Sequence, residues 1–455
     1  MVNKMFKEFS VVLPQINQID YNILDFGAVA GGMVSNTQAF KATIEKAAVT
    51  GGRVIVPNGI WLTGPIELKS GIELHLEDNA TIVFSKEKEE YPLIVTDYEG
   101  IKRIRTVSQI TAQNAENVAI TGNGIIEGNG HLWRPVKQFK MTERQWKELL
   151  AQSEYVIDTK EGGMWFPTKT IYDGREVGEV YPDTYATEEE SLAKAEPYFD
   201  LYRPVMISLR HCKNVLLEGV KFQNSPAWNI HPYFCTDLTV RNVSINNPYH
   251  AQNGDGIDVE SCKNVHIHHC DLQTGDDGIC LKAGKNAEAR KLITPCENVY
   301  VHDCKVGHSH GGIVVGSEMS RGVKNVLVKN CTFMDSDVGI RFKSAMGRGG
   351  VVEDIYLEDI QMINIKSEAV ILTMNYVLSV MDFTEATIQS TDPEDIPTFC
   401  NFYFKNCICT SAKYGVKICG LEGLSEHIRD IHFENCSFTA SEENVLENCE
   451  NITFN

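Results

Sequence analysis

One pattern returns along most of this chain and decides what it can fold into. NVLLEGVKF from Asn214, DLTVRNVSI from Asp237, NVHIHHCDL from Asn264 and NVYVHDCKV from Asn298 align without gaps. NVLVKNCTF from Asn325, DIYLEDIQM from Asp354, NFYFKNCIC from Asn401 and DIHFENCSF from Asp430 continue the series. The copies begin 23, 27, 34, 27, 29, 47 and 29 residues apart, which is the spacing of a solenoid, propeller or array. Within each copy the apolar residues alternate at period 2, the mark of a strand. They then skip one position and alternate again. The skip reverses side-chain parity, so the backbone must bend there. The residue at the bend is Gly219, Asn242, His269, Asp303, Asn330, Asp359, Asn406 or Asn435, types that tolerate the left-handed backbone region.

A third strand follows in many copies: GIDVES at Gly256, GICLKA at Gly278, GIVVGS at Gly312, GIRFKS at Gly339 and GVKICG at Gly415. Three strands per coil joined by left-handed bends predict an all-β chain, a right-handed parallel β-helix. The leucine consensus of leucine-rich repeats is absent, and the strands do not fall in the groups of four a propeller needs. One repeating unit argues for a single domain over residues 1–455, with a cap at about 22–60. There KATIEKAAVTGGRVIVP from Lys41 reads as a helix leading into the first strand, closing the open end of the core. A long insertion occupies about 131–203, and WRPVKQFKMTERQWKELLAQ within it reads as an amphipathic helix. Trp133, Trp146 and Trp165 in this segment suit either sugar stacking or packing. MDFTEATIQSTDPEDIPT from Met381 reads as a second inserted loop.

Cys270, Cys304, Cys331, Cys407 and Cys436 replace Val220, Val243 or Ile360 of other copies. Such exchange predicts small buried apolar residues, not metal ligands. Rungs about 4.8 Å apart leave a disulfide between neighbours open on distance alone. The formal net charge of −19 disfavours nucleic acid as a partner. It also means that a polyanionic ligand would need a local basic patch. No apolar run reaches the length of a membrane span, and MVNKMFKEFSVVLPQ lacks the apolar core of a signal peptide. The expectation is a cytoplasmic protein, with removal of a signal as the alternative.

Aligned on the glycine that opens each third strand, the polar residues fall into columns. Asp255 and Asp277 precede their glycines by one, while Asp276 and His310 precede theirs by two. Arg341 and Lys343 follow Gly339 by two and four, so they point away from a core that takes Ile340 and Phe342. Singly, each has a plain reading: Asp-Asp-Gly as a turn, His310 as structural, Arg341 and Lys343 as an exposed edge. In joint register on consecutive coils they form one outer face with three carboxylates, a histidine and two cations. Carboxylates one rung apart repel, which raises at least one pKa and separates an acid from a base. Glycoside hydrolysis needs such a pair, and Arg with Lys can hold a sugar carboxylate. Calcium binding by the acidic cluster stays open. Strict alternation would turn Asp255 and Asp277 inward, so the glycine after each must break parity.

At these residues the chain resembles glycoside hydrolase family 28, the polygalacturonases. NGDGIDVESC at Asn253 is similar to the family's Asn-Thr-Asp motif, with Gly254 in place of Thr. GDDGICLK at Gly275 is similar to its Gly-Asp-Asp motif. SHGGIVVGSEMS at Ser309 is similar to Gly-His-Gly, with Ser309 replacing the first glycine, and IRFKS at Ile340 to Arg-Ile-Lys, with Phe342 in the middle. NILDFGA at Asn22 and SPAWNIHP at Ser225 also resemble the family, so the likeness covers about Asn22 to the C-terminus. It implies an inverting hydrolase of pectic oligo- or polysaccharides, with no cofactor and no metal. Carried over, Asp276 would be the general acid, and Asp255 and Asp277 would activate water. His310 would support the acid. Arg341 and Lys343 would bind the galacturonate carboxylate, with Lys282 and Asn253 as further substrate contacts. SEMSRGVKN at Ser317 is similar to the bacterial exo-acting branch, and an insertion walling one end of the cleft would give exo action. Rhamnogalacturonan or a substituted galacturonan as substrate, a calcium-dependent lyase, and a non-catalytic carbohydrate-binding β-helix are the alternatives.

Overall fold

The computed structural model of the chain describes residues 6–292, 294–376, 379–380, 383–384, 390 and 392–455. Its body is a parallel β-helix in which a typical coil carries the strands Lys263–His268, Asp271–Gln273 and Ile279–Lys282. On the first face, a ladder of thirteen strands among the described residues runs from Asp20–Asn22 to Glu450–Phe454. Side chains stack in register, as in Val265↔Val299↔Val326↔Ile355. The core is one continuous column from Ile23 to Phe433. A helix at Thr37–Ala48 precedes the strand Gly52–Val56 and buries Phe40 and Ile44 against the first coils, the predicted cap. No helix among the described residues is long and apolar enough to cross a membrane.

All eight predicted bend residues, from Gly219 to Asn435, have positive φ. So do the residues that open the copies, from Asn214 to Asp430. Asparagine suits these columns for a second reason, because stacked amides bond one another. Asn298 Nδ2 donates to Asn264 Oδ1 at 2.9 Å, and Asn325 Nδ2 donates to Asn298 Oδ1 at 2.8 Å. The ladder thus satisfies polar groups that each bend would otherwise leave half-buried.

All fourteen cysteines are free, and eleven are buried. Most of their thiols bond to main-chain carbonyls, as Cys270 Sγ does to His268 O at 3.3 Å, and the inter-rung disulfides that spacing left open are not formed. The insertion departs from its predicted form. The predicted helix covers only Glu143–Leu150, started by a capping box between Thr142 and Gln145, and two further helices follow at Lys169–Val177 and Glu188–Ala195. Residues before the first form the strand Val136–Lys137 and a 3-10 turn at Gln138–Lys140. Pro135 and this Thr-x-x-Gln cap explain why the helix begins ten residues later than the apolar spacing implied. Trp133, Trp146 and Trp165 are packing anchors, Trp133 buried in one apolar cluster and Trp146 with Trp165 in another. Much of the inserted loop expected from Met381 lies outside the described residues.

The third face carries Ile257–Glu260, Ile279–Lys282, Ile313–Val315 and Ile340–Lys343, with Ile257, Ile279, Ile313 and Ile340 in register. The residue before each isoleucine is glycine, and its missing side chain also faces the core. A Cβ on Gly256 would meet Leu272 at 2.8 Å, on Gly278 Val306 at 2.4 Å, on Gly312 Phe333 at 2.3 Å and on Gly339 Met362 at 2.3 Å. Glycine and isoleucine therefore turn inward in succession. That is the parity break, and it throws the preceding Asp255 and Asp277 outward. Gly278→Ala should cost about 1–3 kcal/mol of stability through overpacking and disable the site, as read from urea unfolding with activity assays. An unchanged midpoint would show that the column tolerates a methyl group.

Candidate active site

The outward residues meet over the N-terminal edge of the third face. Main-chain bonds fix their spacing: Gly256 N donates to Asp277 O at 2.9 Å, and His310 N donates to Asp276 O at 3.0 Å. His310 Nδ1 lies 2.9 Å from Asp276 Oδ1. The other oxygen of Asp276 accepts from Asn253 N at 3.3 Å. Lys343 Nζ contacts Asp277 Oδ2 at 2.7 Å, and Lys343 and Arg341 lie 5.2 and 5.5 Å from the Tyr376 ring. Asp255 is buried, with no hydrogen-bond partner for its Oδ1 among the described residues. The predicted residues Asp255, Asp276, Asp277, His310, Arg341 and Lys343 are thus brought together.

Two predicted contacts are placed differently. Lys282 shares the column of Lys343 but is committed to Glu318 at 3.2 Å and Asp258 at 3.7 Å, with Trp228 beneath it at 4.7 Å. Asn253 gives its backbone N–H to Asp276, and its side-chain oxygen accepts from Arg203 Nη2 at 2.8 Å. It holds the carboxylate in place. Asp258, which sequence reasoning did not single out, is a fully buried fourth carboxyl behind Asp255.

The non-repeating segment supplies what the columns cannot. Lys140 reaches in from the insertion, donating to Gly275 O at 2.7 Å and meeting His310 Nε2 at 3.0 Å. An ammonium only donates, so Nε2 accepts and the proton on Nδ1 points at Asp276. Tyr249 lies 5.2 Å from Lys140 and 4.7 Å from Lys366, whose ammonium pairs with Asp337 at 2.9 Å. Arg203, nearly buried, clamps the backbone oxygens of Pro226 at 3.1 Å and Gln252 at 2.9 Å. A hairpin, Leu93–Tyr98 with Ile101–Thr106, flanks the site, with Tyr98 on Trp228 at 4.4 Å. In a chain of net charge −19, Lys140, Arg341, Lys343 and Lys366 form the local basic patch that a polyanion would require.

The charges are unequal by design of their surroundings. Burial, then Asp258, Asp276 and Asp277, push Asp255 well above the usual carboxylate range. Asp276 is half-buried, and desolvation alone would raise it, but His310, Lys140 and Lys343 outweigh that and hold it well below that range. Burial lowers Lys140, partly offset by Asp276 and Asp337. Asp276, Asp277 and His310 do offer three donor atoms within 4.8 Å of one another. Ammonium groups already sit against them, so the positive charge here comes from lysine. The site can bind an anion, hold one proton among several carboxyls and move it.

Residues 178–396 match the profile of glycosyl hydrolases family 28. A hyperthermoactive exopolygalacturonase from Thermotoga maritima is 33% identical and superposes with a TM-score of 0.76, covering 97% of this chain and 94% of that one. A family 28 exopolygalacturonase from Yersinia enterocolitica shares the fold at 21% identity and TM-score 0.71, covering 96% and 78%. The exo-poly-alpha-D-galacturonosidase of Dickeya chrysanthemi is 29% identical over 81% of this chain and 59% of its own length. A probable polygalacturonase of Vitis vinifera is 27% identical over 76% and 61%. The chain spans about three fifths of the length of these two curated relatives.

Because the folded-state pKa of Asp255 is raised, its contribution to stability is present below the unfolded value of about 3.9 and lost as pH rises toward the folded value. Asp255→Asn should therefore stabilise the fold at neutral pH by roughly 0.5–2 kcal/mol, with the gain fading below about pH 4. Urea unfolding across pH measures this. A gain independent of pH would show that Asp255 carries no raised pKa.

Proposed function

The chain belongs to glycosyl hydrolases family 28, and from that premise we propose that it hydrolyses α-1,4-galacturonide linkages of pectic oligosaccharides, with inversion and from a chain end. The observation that carries this reading is the joint register of Asp255, Asp276, Asp277 and His310 with Arg341 and Lys343 on one face. In the proposed reaction Asp276 protonates the leaving oxygen as the C1–O bond breaks. Water attacks C1 from the opposite side and gives its proton to Asp277 or Asp255. Arg341 and Lys343 bind the sugar carboxylate, and Lys140 holds His310 against the acid.

In the free protein, burial and neighbouring carboxylates raise the proton affinity of Asp255 while nearby cations lower that of Asp276, the reverse of what this chemistry needs. An incoming galacturonate supplies the difference. Its carboxylate neutralises lysines that hold Asp276 low, so the proton affinity of Asp276 rises on binding. The alkaline limb of kcat, which reports the complex, should then lie at higher pH than that of kcat/KM, which reports the free protein. Coincident limbs would contradict this role for the substrate carboxylate.

Exo action is proposed because the insertion places Lys140 inside the site and because the relative at 33% identity is an exopolygalacturonase. A time course on defined galacturonate oligomers, with products resolved by size, tests it. Monomer from the first turnover is expected. Mixed oligomers would mean endo action. No cleavage would turn attention to rhamnose-containing substrates and then to a carbohydrate-binding role. Lys140→Met should lower kcat/KM about 10- to 100-fold and, by removing a cation beside Asp276, move its alkaline limb upward. Lys140→Arg should restore much of the rate. An unshifted profile would reduce Lys140 to a packing residue.

A further inference from the structure

On the first face, away from the cleft, two adjacent coils bring four imidazoles and a carboxylate together. His266 and His268 project from the strand Lys263–His268, and His302 stands opposite His268 in the register. His269 and Asp303 occupy the left-handed bend that follows, where most other coils carry Asn or Asp. His269, His302 and Asp303 each present a donor atom within 4.8 Å of the other two. His302 Nδ1 lies 2.6 Å from Asp303 Oδ2, and His269 Nε2 lies 3.8 Å from the same oxygen.

We propose that His269 Nε2, His302 Nδ1 and Asp303 Oδ2 form a site for one divalent transition-metal ion of the zinc class. Bond lengths of about 2.0–2.2 Å around such an ion put neighbouring donors roughly 3–3.5 Å apart. The two observed separations bracket that range, so small side-chain rotations suffice. Imidazole with carboxylate suits zinc, nickel or copper more than magnesium or calcium.

What distinguishes this cluster from a chance crowding of side chains is that every ligand has its own supporting partner. His269 Nδ1 meets His268 Nδ1 at 2.8 Å, which leaves Nε2 directed at the site. His302 Nε2 meets His266 Nε2 at 2.8 Å. With Nδ1 on the metal, His302 takes the tautomer protonated at Nε2, and His266 Nε2 accepts that hydrogen bond. Asn330 Nδ2 donates to the remaining oxygen of Asp303. Ligands oriented by such outer contacts are the rule in metal sites. The supporting rings are themselves held, His266 stacked on Tyr300 at 5.2 Å and His268 on His302 at 4.9 Å.

Titration calorimetry with zinc chloride on the full chain tests the site, with visible absorption of the cobalt form as a second readout of coordination. One equivalent of tight binding is expected. His269→Asn keeps a residue suited to the left-handed bend, as at Asn242 and Asn330, and should weaken binding at least tenfold. His268→Ala, which removes only a supporting partner, should weaken it about 10- to 100-fold. His310→Ala, in the cleft, should leave zinc binding unchanged. Absence of a one-to-one event, equal binding by the His269 variant, or loss of binding in the His310 variant instead would each overturn the proposal.

Discussion

The architecture of the site depends on a column of glycines facing the core. On a β-helix every side chain points either in or out, and a carboxylate pointing into this core would have no partner. Gly256, Gly278, Gly312 and Gly339 let two successive residues face inward. That single offset turns Asp255 and Asp277 to the outside at one height. Rung stacking then does the rest, because the next coil adds His310 beside Asp276 and the one after adds Arg341 and Lys343. The repeat that closes the core also sets the spacing of the chemistry.

Crowding carboxyls this closely requires compensation, and the chain supplies it from several directions. Lys343 comes from the repeat, two coils on, while Lys140 comes from the insertion. Behind them, Lys282 answers Asp258 and Glu318. The result is an uneven distribution of proton affinity, Asp255 high and Asp276 low. Preorganised charge of this kind is a large part of how buried sites act on charged substrates. It also stores a response: a bound carboxylate changes the balance among the very groups that must exchange protons.

Much of this was legible in the sequence because a solenoid is nearly one-dimensional. Aligning copies amounts to stacking them, so the bend residues, the cysteine environment and the columns containing Asp255, Asp276, Asp277, His310, Arg341 and Lys343 could be read directly. Parity at Asp255 and Asp277 was the one difficulty, and the glycine after each was the signal that resolved it. Residues outside the repeat were not readable in this way. Lys140 and Arg203 act through long-range folding of the insertion, and no periodicity predicts where they land. The helix there began later than its apolar spacing suggested, although the Thr142 and Gln145 cap was available as a marker. Lys282 and Asn253 were in the right columns, yet their partners Glu318 and Arg203 gave them supporting positions. The order of proton affinities was likewise hidden, since it depends on those non-repeating cations.

The central claim is that this face cleaves a glycosidic bond with Asp276 as the proton donor. The most direct test compares Asp276→Asn with the parent chain on trigalacturonate, measuring binding by calorimetry and turnover by product release. The account predicts binding within a few-fold of the parent and turnover reduced by about 10²–10⁴-fold, the usual share of general acid catalysis. Turnover that persists with Asn at this position would contradict it and require another donor on the same face.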